Sequence, residues 1–257
     1  MGRALITGAS SGLGEQFAIQ LAERGHNLVL VARRADRLEA LARDLESAHG
    51  VEVEVLPADL ADRDQLERVA QRVRSATSPV DLLVNNAGFG LGQNFLEDDL
   101  AREEQALAVM VRAVLVLSHA AGNTMRQRGH GAICNVSSIA ADTTMGTYAA
   151  HKTWVNQFTQ SLAEDLRGTG VRVVSLRPGT TRTEFWNTEG IEADEVPTIF
   201  MLEPERVVAD ALQALRGGPT VCVPSLPYKI IDVIVAKSPR SIVRRISSGI
   251  HRNRMKI

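Results

Sequence analysis

A tyrosine and a lysine stand four positions apart in the segment YAAHK, residues 148–152. On a helix, positions i and i+4 share one face, so the phenol of Tyr148 and the ammonium of Lys152 would lie side by side. A phenol, with a pKa of about 10, hardly ever accepts a proton at neutral pH, but an adjacent ammonium stabilises the phenolate and lowers that pKa. The pair could therefore perform general acid–base chemistry. The same spacing often occurs by chance on solvated helix faces, so the pair needs support from the rest of the chain.

A glycine-rich turn near the start of the chain predicts a phosphate-binding site. The segment LITGASSGLGEQFAIQLA runs from a predicted strand into a predicted amphipathic helix. Glycines at such a turn let the backbone bend tightly and approach a pyrophosphate at the helix N-terminus. The spacing GxxxGxG is a weak signal alone, but its place between strand and helix favours a dinucleotide site. The residues of this turn that we expect to contact the cofactor are Gly8, Ser10, Ser11, Gly12, Leu13 and Gly14.

The residues after the second predicted strand indicate which dinucleotide fits. NAD sites usually carry an acidic residue about 20 positions beyond the glycines, where it binds the ribose 2′-hydroxyl. This chain instead has Ala32, Arg33 and Arg34. The absence of a carboxylate removes repulsion, and a guanidinium can bind a 2′-phosphate through two hydrogen bonds. We therefore expect NADP(H) to be favoured over NAD(H), with Arg33 as a ligand. Arg34 is equally well explained as the solvated start of the next helix.

Apolar, β-branched runs alternate with segments of helical period along the chain. The runs are RALIT, NLVLVA, VEVEVL, VDLLV, GAICNV, VRVVSL and PTVCVP. This alternation predicts an α/β fold with a doubly wound parallel sheet and helices on both faces. VEVEVL alternates in polarity, which is typical of a strand near a sheet edge, whereas NLVLVA is typical of a fully buried strand. No Pro/Gly/Ser-rich linker divides the chain, so we expect one domain.

Composition excludes several classes of protein. The 257 residues include 29 basic and 30 acidic side chains, so no overall field favours nucleic acid. Two cysteines, Cys134 and Cys222, exclude a disulfide scaffold and are typical of a reducing compartment. The six histidines show no metal-ligand spacing. No secretory leader is visible, and the apolar stretch at 106–122, interrupted by Arg112, is expected to be too short for a membrane span. We expect a soluble, cytoplasmic protein without a metal.

Five motifs occur in one order along the chain. They are TGASSGLG at 7–14, NNAG at 85–88, NVSS at 135–138, YAAHK at 148–152 and RPGTTRT at 177–183. With them the chain resembles the short-chain dehydrogenase/reductase family over residues 3 to about 223. Their joint occurrence is far more specific than any one motif. The resemblance implies a single Rossmann-type domain with about seven parallel strands and a nicotinamide-dependent oxidoreductase.

The resemblance also implies catalytic roles. Tyr148 looks like the family's catalytic acid/base, and Lys152 like the residue that binds the nicotinamide ribose and lowers the tyrosine pKa. Ser138 resembles the residue that holds and polarises the substrate carbonyl, since a hydroxyl can both donate and accept. If AICNVS alternates as a strand, the neighbouring Ser137 points to the opposite face, so only one serine can serve. Family position favours Ser138.

Further cofactor contacts follow from the same resemblance. Asp59, beside Leu60, resembles the acid that contacts adenine. Asn86 resembles the residue that supports the central sheet and borders the cofactor, and Ala87 and Gly88 are expected to pass close to its ribose. The loop after the sixth strand resembles the one whose threonines fix the carboxamide and so choose the hydride face. Its predicted contact residues are Pro178, Gly179, Thr181 and Thr183.

Two features depart from the family's pattern. Met110 stands where the family usually has an asparagine that holds a water molecule behind the lysine. A thioether is at best a weak acceptor, so Met110 is more simply a core residue, and the proton relay is then shorter or impaired. In addition, Ser138 and Tyr148 are ten positions apart, about three fewer than the family usually shows. The shortened segment would widen the substrate site or shift the serine.

Two segments do not follow the alternating pattern, and they set the predicted domain limits. We place the catalytic domain at 1–224, with a lid at about 184–205, and a basic amphipathic extension at 225–257. The lid would cover an apolar substrate or form a separate packing cluster. From Lys229 onward the chain has eight Lys/Arg and one acidic residue. This tail would pack on the domain or on a second subunit, which we favour, lie on an anionic membrane surface, or be partly frayed.

Together these patterns predict an NADP(H)-dependent oxidoreductase. It would transfer a hydride between nicotinamide and the carbonyl or secondary alcohol of a mainly apolar small molecule, with Tyr148 as general acid/base. We expect a homo-oligomer, a dimer or a tetramer. Two alternatives stay open: a weakly catalytic or non-catalytic dinucleotide-binding sensor or scaffold, suggested by Met110, and a membrane-surface lipid-modifying reductase, suggested by the basic tail.

Overall fold

Seven parallel strands form one sheet in the computed structural model, which describes residues 2–91, 95–183, 200–239 and 241. The strands are β1 (Arg3–Thr7), β2 (Asn27–Ala32), β3 (Val53–Pro57), β4 (Leu82–Asn85), β5 (Gly131–Val136), β6 (Val171–Leu176) and β7 (Val221–Cys222). Their spatial order is β3-β2-β1-β4-β5-β6-β7. The predicted α/β fold with seven parallel strands is confirmed. As expected, β3 lies at an edge and β2 inside the sheet.

Helices connect the strands and cover both faces of the sheet. They are α1 (Gly12–Ala22), α2 (Ala35–His49), α3 (Arg63–Val73), α4 (Leu100–Leu107), α5 (Ala113–Arg128), α6 (Gly146–Asp165), α7 (Pro204–Leu215) and α8 (Leu226–Lys237). A π-helical turn at Ala108–Arg112 joins α4 to α5, and a short 3-10 turn at Ile139–Asp142 follows β5.

The side chains of β2 show how the two faces are filled. Leu28 and Leu30 lie in an apolar cluster with residues of α1 and α7, whereas Val29 and Val31 lie in a second cluster with residues of α3 and α5. Successive residues of a strand point to opposite faces of the sheet. An unbroken apolar run is therefore what a strand covered by helices on both sides requires.

The continuous helix from Leu100 to Arg128 is the one described helix long and apolar enough, by length and composition, to cross a membrane. The expectation that this stretch is too short is therefore wrong. However, 56% of its most apolar window is buried inside the protein, and Leu117, Ala121 and Met125 are fully buried. The helix is packed as a core element of the α/β fold.

The strand order reverses between β1 and β4. From β1 the chain builds outward through β2 to β3, then returns to β4 on the other side of β1. In a doubly wound sheet, ligands bind outside the carboxyl ends of the strands at such a reversal. The carboxyl ends of β1 and β4 are therefore where a ligand site is expected.

Candidate active site

Most of the predicted site residues follow the carboxyl ends of the strands. β1 leads into the glycine turn, β4 into the segment 86–88, β5 into Ser138, and β6 into the segment 178–183. Parallel strands share one carboxyl edge, so these segments come to the same end of the sheet although they are distant in sequence. Helix α6 carries Tyr148 and brings Lys152 to the last residue of β5.

The glycine turn leaves no room for side chains. A Cβ atom on Gly14 would stand 2.1 Å from the carbonyl oxygen of Gly8, and one on Gly8 would stand 2.9 Å from both Asn86 Nδ2 and Ala87 Cα. Gly8 and Gly12 also have positive φ angles, 68° and 58°, which other residues rarely adopt. The backbone at the start of α1 is therefore packed against the segment 86–88, and the N-terminus of such a helix can bind a phosphate group. This cradle fits a dinucleotide.

Thr7, the last residue of β1, ties the glycine turn to β4, and the sequence reasoning missed it. Its hydroxyl accepts hydrogen bonds from the backbone N–H groups of Asn86 (2.9 Å) and Ala87 (3.1 Å) and donates to the carbonyl of Val84 (3.3 Å). The side-chain amide of Asn86 donates to the carbonyl oxygens of Thr7 (3.0 Å) and Gly8 (3.3 Å). The available signal was a polar residue at the buried end of an apolar strand, directly before the glycines.

Inside the sheet, Asn85 links β4 to β5 and to α5, beside the contacts that Asn86 makes with the end of β1. The amide of Asn85 donates to Asn135 Oδ1 (2.8 Å) on β5 and to Ser118 Oγ (3.1 Å) on α5. Asn135 donates in turn to Thr159 Oγ1 (3.0 Å) on α6. These four side chains are buried, so each hydrogen bond is costly to lose. The network fixes α6, and with it Tyr148, against the sheet.

The two arginines after β2 lie in different surroundings. Arg34 is half-buried, and its guanidinium donates to Ser10 Oγ (2.9 Å) and Ser11 Oγ (2.9 Å) in the glycine turn. Arg33 is exposed. The structure therefore brings Arg34 into contact with the glycine turn, and the role of Arg33 as a ligand of the 2′-phosphate stays a prediction.

The residues after β3 make mainly local contacts. The carboxylate of Asp59 accepts a hydrogen bond from the backbone N–H of Ala61 (2.9 Å), and Asp59 is half-buried. Leu60 is 5% exposed and lies in the apolar cluster beneath the sheet. The adenine contact of Asp59 stays a prediction.

Tyr148 and Lys152 lie one helical turn apart on α6, with Lys152 Nζ 5.6 Å from the centre of the tyrosine ring. Lys152 is 4% exposed, and its ammonium donates to the carbonyl of Val136 (2.8 Å). A Cβ atom on Gly88 would stand 3.6 Å from Nζ, so the segment 86–88 closes the other side. Burial lowers the pKa of Lys152 to about 8, because the charged amine loses hydration. The amine is thus held between the tyrosine and the segment next to the cofactor cradle.

The two serines after β5 are distinguished by their partners. Ser137 is 1% exposed, and its hydroxyl donates to the backbone carbonyl of Lys152 (2.7 Å). Ser138 is half-buried, and its hydroxyl accepts a hydrogen bond from the N–H of Ala140 (3.1 Å). That contact uses Ser138 as an acceptor, so its proton can still be donated to a substrate oxygen. The geometry favours Ser138 over Ser137 as the substrate contact.

The loop after β6 closes the carboxyl edge. The carbonyl of Pro178 accepts a hydrogen bond from the N–H of Ile139 (3.1 Å), which ties the loop to the turn after β5. A Cβ atom on Gly12 would stand 3.1 Å from the Cβ of Thr183, so Thr183 lies over the glycine turn. The loop therefore bridges the predicted nucleotide and substrate sides of the site.

The chain matches the family model of the short-chain dehydrogenases over residues 3–193. It belongs to this family. It is 38% identical over 186 residues to sulfoacetaldehyde reductase 2 of Chromohalobacter salexigens, which covers 70% of this chain and 73% of that protein. The resemblance that five motifs indicated is confirmed, and the chain is a family oxidoreductase.

Two solved structures extend the likeness over almost the whole chain. A short-chain dehydrogenase from Sphingobium yanoikuyae in complex with NADPH has 33% identity and a TM-score of 0.84, covering 93% of this chain and 96% of that one. A bulky-bulky ketone specific alcohol dehydrogenase from Comamonas testosteroni has 29% identity and a TM-score of 0.80, covering 93% and 95%.

Met110, where short-chain dehydrogenases usually carry asparagine, lies in the π-helical turn and is 1% exposed. It forms a small apolar cluster with Leu91 and Ala106, against which Phe89 and Tyr148 pack. A Cβ atom on Gly88 would stand 3.4 Å from the Met110 sulfur. The interpretation of Met110 as a core residue fits this packing. Its thioether borders the tyrosine and makes that side of the site apolar.

Arg177, at the end of β6, is a buried cation that the sequence reasoning did not single out. It is 5% exposed and forms ion pairs with Asp142 in the turn after β5 and with Asp232 on α8 (2.9 Å). Its Nε also donates to the carbonyl of Ser138 (3.4 Å). One guanidinium therefore joins the serine segment to α8. Because the two partners are distant in sequence, only the fold could reveal this link.

Tyr228 on α8 is the third residue, after Thr7 and Arg177, that the sequence did not reveal. It is 3% exposed, and its ring occupies the space beside Gly179, where a Cβ atom would stand 2.1 Å from the ring. Its hydroxyl accepts from the N–H of Thr180 (3.0 Å) and donates to the carbonyl of Phe200 (2.6 Å). Thr181, 5% exposed, donates to the carbonyl of Gly179 (3.0 Å). Helix α8 thus holds the loop that carries the predicted carboxamide contacts.

Most of the predicted lid, residues 184–199 with Phe185 and Trp186, lies outside the described residues. Phe200 packs its ring 6.1 Å from the ring of Tyr228, and Met201 is 9% exposed. The lid stays a prediction. Over the described ranges, no group of three or more His, Cys, Asp or Glu side chains could hold a metal ion.

Proposed function

We propose that this oxidoreductase is NADP(H)-dependent and interconverts a carbonyl and a secondary alcohol on a mainly apolar small molecule. Tyr148 is the general acid/base, Lys152 lowers its pKa, and Ser138 holds the substrate oxygen. The observation that carries the proposal is the buried Lys152 ammonium, 5.6 Å from the Tyr148 ring and adjacent to Gly88.

The chain's own residues handle the proton. A bound nicotinamide dinucleotide would supply or accept the hydride at the substrate carbon. Ser138 donates a hydrogen bond to the carbonyl oxygen, and Tyr148 gives that oxygen its proton during reduction and removes it during oxidation. The buried ammonium of Lys152 stabilises the phenolate left on Tyr148. Its lowered pKa makes this charge sensitive to alkaline pH.

NADP(H) preference is supported by Arg34. Its guanidinium reaches the hydroxyls of the glycine turn, and no acidic residue follows β2 directly, where Ala32, Arg33 and Arg34 stand. An arginine in this position can neutralise a 2′-phosphate. The likeness to a dehydrogenase in complex with NADPH supports the same assignment.

An apolar substrate is supported by the cluster around Met110. Phe89 is half-buried and packs with Tyr148 against the buried Met110 cluster, so an apolar side chain lies next to the reacting group. The likeness to a bulky-bulky ketone specific alcohol dehydrogenase is consistent with this class.

Cytoplasmic location is proposed because both cysteines are free and buried. A homo-oligomeric state stays a prediction.

The test is a panel of ketones and aldehydes with NADPH or NADH, followed through the loss of absorbance of the reduced cofactor. Tyr148→Phe should lower kcat by about 10²–10⁴-fold while nucleotide affinity stays within about twofold. Ser138→Ala should lower turnover, whereas Ser137→Ala should act mainly on stability. Turnover retained by Tyr148→Phe would refute the role of the tyrosine. If the protein turned over no member of the panel, that result would instead favour the alternative of a dinucleotide-binding sensor. The likeness to a reductase and to an alcohol dehydrogenase argues against this alternative.

Cofactor preference is tested by Arg34→Gln and Arg33→Gln, with Arg43→Gln on the exposed surface of α2 as the matched control. We expect Arg34→Gln to reduce the preference for NADPH over NADH most, by about tenfold for one charge-assisted hydrogen-bonded pair. An unchanged ratio in both variants would contradict the charge argument without affecting the catalytic roles.

A further inference from the structure

The guanidinium of Arg177 uses all three of its nitrogen atoms. Nε donates to the backbone carbonyl of Ser138 (3.4 Å), Nη1 pairs with Asp232 on α8 (2.9 Å), and Nη2 donates to Asp142. Arg177 is 5% exposed. Because a guanidinium is planar and rigid, contacts at three atoms fix its plane as well as its position. A lysine ammonium would be a single point of charge and could not contact the three partners in this way.

Two of these partners lie at the two ends of one short turn. Ser138 precedes the 3-10 turn Ile139–Asp142, and Asp142 is its last residue. Arg177 therefore contacts a backbone carbonyl before the turn and a side chain at its end. Contacts at opposite ends set the direction of the turn, whereas a contact at one point would allow it to rotate.

Other hydrogen bonds hold the turn at single points. The N–H of Ile139 donates to the carbonyl of Pro178 (3.1 Å), and the hydroxyl of Thr153 on α6 donates to the carbonyl of Ala141. Among the described residues, Arg177 is the one side chain whose hydrogen bonds reach both ends of the turn.

The turn determines where the hydroxyl of Ser138 lies. Its Oγ accepts a hydrogen bond from the N–H of Ala140 (3.1 Å), and its backbone carbonyl accepts one from the N–H of Ala141 (3.2 Å). Both donors belong to the turn. A displacement of the turn would therefore displace the hydroxyl with it.

The backbone of Arg177 is fixed by the sheet. Its N–H donates to the carbonyl of Cys222 in β7 (2.8 Å), and the N–H of Ser137 donates to the carbonyl of Leu176 at the end of β6 (2.7 Å). The guanidinium thus extends from a rigid strand end. The turn and α8 are the elements that it can hold in place.

Two carboxylates and one guanidinium are a costly way to fill a buried space. Buried charges lose hydration, and apolar residues of similar volume often give equal or greater stability. The observed advantage of this cluster is geometric, because each nitrogen selects one partner in one direction.

We propose that Arg177 is a positioning residue of this oxidoreductase. It holds the turn after β5, with support from α8 through Asp232, so that the hydroxyl of Ser138 meets the substrate oxygen beside Tyr148. Arg177 acts through Ser138 and not by contact with the substrate. The proposal rests on the proposed function, in which Ser138 holds the substrate oxygen. A misplacement of about 1 Å in such a contact can lower the rate about 100-fold.

The first test measures the turn itself and needs no substrate. Amide hydrogen exchange over residues 139–143 should become at least about tenfold faster in Arg177→Met than in the wild type. The matched control is Arg172→Met, since Arg172 is a half-buried arginine near the other end of β6 that donates to the carbonyls of Ala214 and Gly218. This control should leave exchange over 139–143 unchanged. Unchanged exchange in Arg177→Met, or an equal rise in the control, would overturn the proposal.

The second test is a double-mutant cycle with Ser138→Ala. Arg177→Met alone should lower kcat about 100-fold, while nucleotide affinity stays within about twofold. In the Ser138→Ala background the same substitution should lower kcat less than about twofold, because the group that it positions is gone. Losses that multiply would show that Arg177 does not act through Ser138. Arg172→Met should leave kcat unchanged in both backgrounds, whatever it does to stability.

Two milder variants serve if Arg177→Met does not fold. Arg177→Lys keeps the charge without the planar fork, and Asp142→Asn weakens the contact at the end of the turn. Circular dichroism should show that both are folded, and kcat should fall at least about tenfold in each. Wild-type kcat in both would refute the proposal. If the wild-type protein reduces no carbonyl compound, the proposed function fails, and hydrogen exchange still decides whether Arg177 holds the turn.

Discussion

The two halves of the carboxyl edge are built in different ways. The nucleotide half, β1 to β4, is closed by backbone atoms. A Cβ atom on Gly14 would stand 2.1 Å from the carbonyl oxygen of Gly8, and the backbone of Gly8 packs against that of Ala87. The substrate half, β5 to α8, is closed by large side chains, namely the Arg177 guanidinium between Asp142 and Asp232 and the Tyr228 ring beside Gly179.

This difference explains why the first half could be predicted in detail and the second could not. A turn that excludes every Cβ permits only glycine, so its requirement is visible in the sequence as a motif. An ion pair can be built by many residue types at many positions, so its requirement appears only when the fold brings the partners together. The halves should therefore respond differently to substitution.

The largest effect is expected in the nucleotide half, from Gly14→Ala. The new Cβ would stand 2.1 Å from a backbone oxygen that cannot move without breaking the turn. We expect a loss of more than about 4 kcal/mol in the free energy of unfolding and loss of nucleotide binding. Urea unfolding and nucleotide titration measure both. Gly50→Ala is the control, because Gly50 has a positive φ of 66° but open space around it, and should cost about 1–2 kcal/mol. Equal losses in the free energy of unfolding for Gly14→Ala and Gly50→Ala would contradict the claim that backbone packing closes the nucleotide half.

The substrate half should lose nearly as much stability from Arg177→Met. Removal of the guanidinium leaves Asp142 and Asp232 without their shared cation, and breaking a buried pair typically costs about 3–5 kcal/mol. Nucleotide affinity should change far less than turnover, since Arg177 contacts the Ser138 segment and α8 rather than the glycine turn. Arg182→Met, at an exposed ion pair with Glu203, should cost at most about 1 kcal/mol. A similar cost for both variants would show that Arg177 is dispensable.

At the junction of the halves, Lys152→Met should raise stability while removing activity. The folded-state pKa of about 8 lies below the ordinary value of 10.5, so the unfolded chain binds this proton more tightly. The cost of burying the charge is fully present below pH 8, and wild-type stability rises between pH 8 and 10.5. We expect the variant to gain about 1–3 kcal/mol at pH 7 and to lose this pH dependence. Urea unfolding at pH 7 and pH 10 measures both quantities. A destabilised variant, or one whose free energy of unfolding depends on pH as in the wild type, would contradict the burial of a charged Lys152.

The smallest effect is expected from Tyr228→Phe. The ring stays beside Gly179, but the hydroxyl that bridges Thr180 and Phe200 is removed, at a cost of about 1–2 kcal/mol. Turnover should fall more than nucleotide binding, because the affected loop belongs to the substrate half. Urea unfolding and steady-state kinetics are the measurements. An effect on nucleotide affinity alone would show that Tyr228 acts on the nucleotide half instead of the substrate half.

Sequence patterns predicted the architecture well, because strand burial on both faces and the turn chemistry are local properties. NLVLVA had to be a central strand, and VEVEVL lies at the edge as its alternation indicates. The length argument failed for the apolar helix at 100–128, where a core helix has membrane-like length and composition. The sequence could not show which way the two arginines after β2 point: Arg34 reaches the glycine turn, whereas Arg33 is exposed.

The sequence by itself determined the family, the doubly wound sheet, the glycine cradle and the Tyr148–Lys152 pair, because each is specified by short local motifs or by the order of strands and helices along the chain. Only the tertiary structure decided which serine keeps a proton to donate, that Lys152 is buried enough for its pKa to fall, and that Arg177 and Tyr228 attach α8 to the site. These properties depend on burial and on partners distant in sequence, and they arise only when the chain is packed.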